Sequence, residues 1–245
     1  TKGKVKFDLY PFQEKCLTTF KDNRYNIILK ARQLGISTLS AGYSLWMMLF
    51  HNDKNILVIA TGKETAKNLV TKVRVMYEGL PQWLKTNTEE INKLSIRFAN
   101  GSQIKAIASN ESAGRSEALS LLIIDEAAFI DRIDTIWTAA QQTLSTGGGC
   151  IALSTPNGVG NWFHKQWLGA EEGTNQFNTI RLHWTDHPDR DQVWRDEQDK
   201  ILGPSQAAQE CDTDFLSSGR SVVDPAILQW YKDEMIEAPI EEVGI

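Results

Sequence analysis

The sequence predicts an α/β fold in which helices flank a mostly parallel sheet. Three short apolar runs have the length and composition of buried strands, at residues 26–29, 55–60 and 121–124. A periodic helical stretch at residues 63–77 follows the second run, and strands that alternate with helices are typical of parallel sheets. Polar residues follow the first and third runs, and open α/β sheets bind ligands at such carboxyl ends.

Local signals predict the remaining elements of this core. Helices are expected near residues 12–21 and at 37–50, the second with apolar residues on more than one face, which indicates burial. Alternating residues 95–99 and 102–107 flank Asn100-Gly101 and predict an antiparallel hairpin added to the sheet. A helix at 133–144 ends before a run of glycines, and residues 150–153 form the next core strand.

The amino-acid composition changes beyond Gly158, where four tryptophans are interspersed with polar stretches. We expect a smaller subdomain here, built from a helix near Trp162, a strand near residues 177–182 and helices near 193–201 and 205–211. The tryptophans are expected to pack in a core, because their large rings are usually buried. The predicted division is a core at 1–160, a small subdomain at 161–219 and a linker at 220–245.

The amino-acid composition excludes only a few classes of protein. The net charge of −5 comes from 26 Lys and Arg against 31 Asp and Glu, and the acidic segment from Ser221 onward accounts for the excess. A nearly neutral core does not exclude nucleic acid as a partner. No apolar run is long enough to span a membrane. The three separated cysteines predict neither a zinc site nor a disulfide framework, and a reducing cytoplasm is the natural setting.

The segment after the first strand reads as a phosphate-binding loop that opens a helix. Free N–H groups and the positive end of a helix dipole favour phosphate oxygens at such a position. The residues predicted to hold the nucleotide phosphates are Lys30, Arg32, Gln33, Leu34, Gly35, Ile36, Ser37 and Thr38. The hydroxyl of Ser37 or Thr38 is expected to complete the shell of a Mg²⁺ ion.

Asp125 and Glu126 end the third apolar run and complete the predicted site. Asp125 is expected to be the other protein ligand of Mg²⁺, and Glu126 to be the general base that activates water. Gln13 is predicted to contact the adenine ring, because an amide pairs with both a donor and an acceptor. Arg32 is predicted to reach the γ-phosphate in cis, since a guanidinium binds phosphate oxygens in two places. The two motifs together predict a site that hydrolyses a nucleoside triphosphate with Mg²⁺.

Four motifs in this order give the chain a family resemblance. They are Tyr10-Pro11-Phe12-Gln13, the loop Arg32-Gln33-Leu34-Gly35, Arg115 ahead of Asp125-Glu126, and Ser154-Thr155-Pro156-Asn157-Gly158. From about residue 10 to 219 the chain resembles the N-terminal ATPase domain of the large terminase subunit, the DNA-packaging motor of tailed bacteriophages. The resemblance implies a P-loop NTPase fold of the ASCE, RecA-like type with a small C-terminal lid-like subdomain.

One position departs from the usual phosphate loop, which has lysine immediately before the Ser or Thr. Here that residue is Ile36, and Lys30 begins the loop instead, as in some terminases. Its flexible stem is expected to bring the ammonium to the β and γ phosphates from that end. The resemblance further implies that Arg115 is an arginine finger presented to a neighbouring subunit. It also implies a coupling role for Ser154, Thr155, Pro156 and Asn157.

The implied function is ATP-driven translocation of double-stranded DNA into a procapsid. Partners implied by the resemblance are the portal and procapsid, the small terminase subunit and further copies of this chain, in a ring when assembled and as a monomer alone. The implied location is the host cytoplasm, at the procapsid portal. Because no second cluster of acidic residues at strand ends occurs in this sequence, the nuclease that accompanies the motor in whole terminases is expected to lie outside it. Two other functions stay open, a helicase-like duplex translocase and a weak, nucleotide-gated assembly module.

Overall fold

The computed structural model describes residues 6–109, 118–216 and Trp230. Seven α-helices and eight strands occur in the described residues, and the bounds of the elements predicted from the sequence are close to those observed. The helices are α1 Pro11–Asp22, α2 Ile36–Phe50, α3 Lys63–Gly79, α4 Ile133–Leu144, α5 Trp162–Glu171, α6 Gln192–Leu202 and α7 Pro204–Cys211. The strands are β1 Tyr25–Lys30, β2 Asn55–Ala60, β3 Thr88–Ile91, β4 Ser95–Phe98, β5 Gln103–Ala108, β6 Leu121–Asp125, β7 Gly149–Ser154 and β8 Asn178–Leu182.

All eight strands belong to one sheet, in the order β3-β4-β5-β2-β6-β7-β1-β8. The six strands from β5 to β8 in this order are parallel, and β3 and β4 add antiparallel pairs at one edge. The predicted hairpin is therefore confirmed as β4 and β5. The sequence did not predict β3, whose four residues are all exposed and lack an apolar alternation.

Two apolar cores lie on opposite faces of the sheet. Successive strand residues point to opposite faces, so Ile28 packs with α1, α2 and α3, whereas Ile27 and Leu29 pack with α4 and α5. This double burial explains why the central strands are continuous apolar runs. Helices on both faces leave the carboxyl ends of the parallel strands open to a ligand.

The predicted strand near residue 177 lies in the main sheet, which corrects its assignment to a separate subdomain. β8 pairs in parallel with β1, from Asn26 opposite Asn178 to Lys30 opposite Leu182. Trp162 and Trp167 of α5 are buried in the same core as α4, as expected for packing residues. The boundaries at residues 160 and 219 stay predictions. Among the described residues, no helix is long and apolar enough to cross a membrane.

Candidate nucleotide site

Four adjacent parallel strands bring the predicted catalytic residues to one edge of the sheet. β2, β6, β7 and β1 are consecutive in the sheet. Their carboxyl ends carry Thr61, the pair Asp125-Glu126, Ser154 and Lys30 respectively. Side chains from four distant parts of the sequence therefore lie at the ligand-binding edge beside the phosphate loop.

The phosphate loop makes a tight turn into α2 at Gly35, which has a left-handed φ of +75°. A Cβ atom at this position would lie 2.7 Å from Nε2 of Gln13, so any side chain here would have to displace the Gln13 amide. Ser37 and Thr38 lie in the first turn of α2, where backbone N–H groups have no partner within a helix. The side chain of Ile36 is buried in the core, so only its backbone can contribute to the site. This geometry is suited to an anion.

Gln13 is almost fully buried and contacts the loop directly. Its Nε2 donates to the carbonyl oxygen of Leu34 over 2.9 Å, and its Oε1 accepts from the N–H of Tyr10 over 3.1 Å. The amide therefore joins the start of α1 to the phosphate loop. The contact of Gln13 with adenine stays a prediction.

Lys30 ends β1, at the same edge of the sheet as Asp125, which ends β6, with β7 between the two strands. Burial lowers the pKa of the Lys30 ammonium below its ordinary value. The carboxylates of Asp125 and Glu126 act on this pKa in the opposite direction, because nearby negative charge favours the ammonium form. A phosphate at this position would add further negative charge and favour the ammonium form. The surroundings of Lys30 fit the phosphate contact predicted from the displaced lysine.

Glu126 has an unusual backbone and a defined side-chain partner. Its φ of +56° lies in the left-handed region, which is uncommon for a residue other than glycine and is concentrated at functional sites. Its Oε2 accepts a hydrogen bond from the Thr61 hydroxyl over 3.1 Å. The side chain of Glu126 is exposed, whereas Asp125 is buried and its Oδ1 accepts from the N–H of Glu126 over 3.0 Å. The two neighbouring carboxylates therefore have different environments.

The donor set at this edge suits Mg²⁺. A hydroxyl of Ser37 and a carboxylate of Asp125 are hard oxygen ligands, and Mg²⁺ is commonly held by one or two protein oxygens together with substrate phosphates. No group of three or more His, Cys, Asp or Glu side chains suited to a metal occurs in the described residues.

Two arginines connect the phosphate loop to the C-terminal helices, one from within the loop and one from outside it. The Arg32 guanidinium forms an ion pair with Glu210 of α7, with Nη1 and Oε1 3.2 Å apart. Arg190, which precedes α6, donates to the carbonyl oxygens of Arg32 and Gln33 over 3.0 and 3.2 Å. Thr61, Arg190 and Glu210 were not predicted from the sequence.

The residues predicted to couple hydrolysis to movement contact the turn that follows Glu126. The Ser154 hydroxyl accepts from the N–H of Ala128 over 3.2 Å, and Asn157 Nδ2 donates to the carbonyl of Ala128 over 3.0 Å. Gln209 of α7 donates to the carbonyl of Pro156 over 3.2 Å. Thr155 is buried. Arg115 lies outside the described residues.

This fold and site define a nucleotide-binding domain of the phosphate-loop class. Residues 27–223 match the family model described as terminase large subunit, T4likevirus-type, N-terminal, and the chain belongs to this family. It is 26% identical over 168 residues to the probable terminase large subunit gp28 of Escherichia phage Mu, covering 62% of this chain and 30% of that protein. The chain thus spans less than a third of this curated relative.

Solved structures of large terminases have the same fold. The ATPase domain of the Thermus phage P74-26 large terminase has a TM-score of 0.67 at 22% identity, covering 85% of this chain and 94% of that one. The large terminase of bacteriophage HK97 has a TM-score of 0.68 at 16% identity, with coverage of 87% and 52%. The large terminase of a thermophilic bacteriophage, in complex with ADP, has a TM-score of 0.66 at 15% identity, with coverage of 83% and 52%.

Proposed function

We propose that this protein is an ATP-hydrolysing motor domain that drives double-stranded DNA into a phage procapsid. The observation that carries the proposal is that Lys30 and the pair Asp125-Glu126 lie at the carboxyl ends of the parallel strands β1 and β6, at the edge of the sheet where the phosphate loop opens α2. Membership of the large terminase family supports it. The large terminase of the thermophilic bacteriophage was solved with ADP and with ATP-γ-S, which supports adenine nucleotide as the ligand here.

Each residue has a distinct role in the proposed reaction. Lys30 and the N–H groups of the loop bind phosphates, and Glu126 accepts a proton from the attacking water. Ser37 and Asp125 would hold Mg²⁺, which neutralises charge on phosphate oxygens when bound. Arg32 in cis and Arg115 from a neighbouring subunit would stabilise the charge that develops on the transferred phosphoryl group.

Movement is proposed to begin at the segment from Ser154 to Asn157. This segment binds the turn after Glu126 on one side and Gln209 of α7 on the other. Because α7 also holds Arg32 through Glu210, a change at the γ-phosphate can alter both contacts of this helix. In this proposal, α7 is the helix that moves when hydrolysis changes the contacts of the site.

The proposed partners are the portal and procapsid, the small terminase subunit, double-stranded DNA and further copies of this chain in a ring. The proposed location is the host cytoplasm, at the portal during packaging. Steady-state ATP hydrolysis with and without linear duplex DNA and procapsids tests the proposal. We expect slow hydrolysis alone and a clear stimulation when both are present. No hydrolysis under any condition would instead favour an assembly module.

A strand-displacement assay separates the motor from a helicase-like translocase. A labelled oligonucleotide is annealed to a longer strand, and its release is followed during ATP hydrolysis. The proposed motor moves along intact duplex and should release no label while it hydrolyses ATP. Release of the label in proportion to ATP consumed would favour the helicase-like alternative.

A further inference from the structure

Three consecutive carbonyl groups of the phosphate loop accept hydrogen bonds from side chains outside the loop. Arg190 donates from Nη1 to the carbonyl of Arg32 and from Nη2 to that of Gln33. Gln13 donates to the next carbonyl, that of Leu34, over 2.9 Å. The three bonds come from a segment before α6 and from α1, which are far apart in sequence.

These bonds fix the direction of three N–H groups. In a planar trans peptide, the C=O and the N–H of the following residue point in opposite directions. The N–H groups of Gln33, Leu34 and Gly35 are therefore turned away from the side chains that bind the preceding carbonyls. Left-handed φ angles of +60° at Gln33 and +75° at Gly35 bend the loop, and successive N–H groups in such a turn form an anion-binding concavity.

The guanidinium of Arg190 is oriented toward the loop carbonyls by a neighbouring aromatic ring. It lies over the Trp194 ring, with Cζ 4.4 Å from the ring centroid, which limits its orientation. Its planar fork reaches two adjacent carbonyls at once, and a lysine ammonium has no such geometry. Arg195, five residues later, has a different environment. It binds Asp199 and Asp212 and makes no described contact with the phosphate loop.

We propose that Arg190 and Gln13 are positioning residues that turn three peptide planes of the loop so that their N–H groups face the nucleotide phosphates. This inference rests on the proposed function, because it assigns phosphate as the ligand of the loop. Arg190 then contributes to phosphate affinity without touching the nucleotide. Removing it allows the planes at Gln33 and Leu34 to rotate, and the affinity for phosphate groups falls.

The test compares ligands with and without phosphates on Arg190→Met and Arg190→Lys proteins. Binding of ADP and pyrophosphate is measured by calorimetry and that of adenosine by ligand-observed NMR. We expect Arg190→Met to bind ADP and pyrophosphate about tenfold more weakly, the scale of one lost hydrogen bond to a charged group, with adenosine affinity unchanged. Arg190→Lys should keep the charge and the fold. Its affinity for ADP and pyrophosphate should fall by less than in Arg190→Met, again with adenosine affinity unchanged.

Arg195→Met is the matched control. It removes a buried guanidinium from the neighbouring helix α6 and should lower the thermal unfolding temperature, yet leave the ratio of pyrophosphate to adenosine affinity at the parental value. Equal losses for all three ligands in Arg190→Met, or parental pyrophosphate affinity, would overturn the positioning role. A parent protein that binds phosphate ligands but never hydrolyses ATP would overturn the proposed function alone. A parent that binds none of them would overturn both.

Discussion

The hydroxyl of Thr61 donates to Oε2 of Glu126 over 3.1 Å and ties the candidate base to the end of β2. Within the part of the chain that the structure describes, the second carboxylate oxygen has no hydrogen-bond partner, and we expect it to accept from the attacking water. The backbone of Thr61 is itself contacted, because the Ser109 hydroxyl donates to its carbonyl over 3.3 Å. Ser109 follows β5 and leads into the segment that contains Arg115. The base is thus linked to the neighbouring strands.

Replacing Thr61 tests whether this bond orients the base. Thr61→Val keeps the shape of the side chain but removes the donor, so the carboxylate is free to rotate away from the attacking water. We expect kcat for ATP hydrolysis to fall about tenfold with KM nearly unchanged, since a lost orientation acts mainly on the chemical step. Thr61→Ser keeps the hydroxyl and should retain most of the rate. Equal rates in Thr61→Val and the parent protein would argue against an orienting role.

A second experiment tests the lysine at the start of the loop. Lys30→Ala removes the ammonium at the end of β1 and should weaken ATP binding and lower turnover by about tenfold or more. Ile36→Val is the comparison at the position that usually carries lysine. The side chain of Ile36 is buried, so this small change should cost about 0.5–1.5 kcal/mol of stability and leave hydrolysis intact. Similar, mild effects of both changes on hydrolysis would contradict the displaced-lysine hypothesis.

The role of Gln13 can be tested by comparing how strongly the Gln13→Met protein binds pyrophosphate and adenosine. If Gln13 acts on the loop through Leu34, Gln13→Met should weaken pyrophosphate binding and leave adenosine binding unchanged. If it pairs with adenine, adenosine affinity should fall instead, and adenine should no longer be preferred to guanine. We expect the first result, because both ends of the amide already have protein partners. Competition of ATP with GTP provides the second measurement.

The sequence predicted the fold well because its signals are local. The apolar runs that became β1, β2, β6 and β7 and the periodic residues of α4 indicate their own structure. The position of β8 was not predictable, since membership of a sheet depends on pairing with a distant strand. β3 was missed because its residues are exposed and mostly polar.

Some residues of the candidate site could be predicted from local motifs, and others could not. Lys30, Gly35 and Asp125-Glu126 stand in recognisable motifs, and the sheet brings them to one edge. Thr61 and Arg190 have no motif. Arg190 acts on backbone carbonyls, which every residue possesses, so the sequence of the loop does not reveal its partner. Only the tertiary structure could have indicated these two residues.

The most direct test of the proposed site is the rate of ATP hydrolysis by Glu126→Gln. The amide keeps the shape of the side chain but cannot accept the proton of the attacking water, so kcat should fall about 10²-fold or more while ATP still binds. Glu64→Gln, an exposed change on α3, is the control and should match the parent protein. A Glu126→Gln protein that binds ATP and hydrolyses it at the parental rate would contradict the assignment of this site.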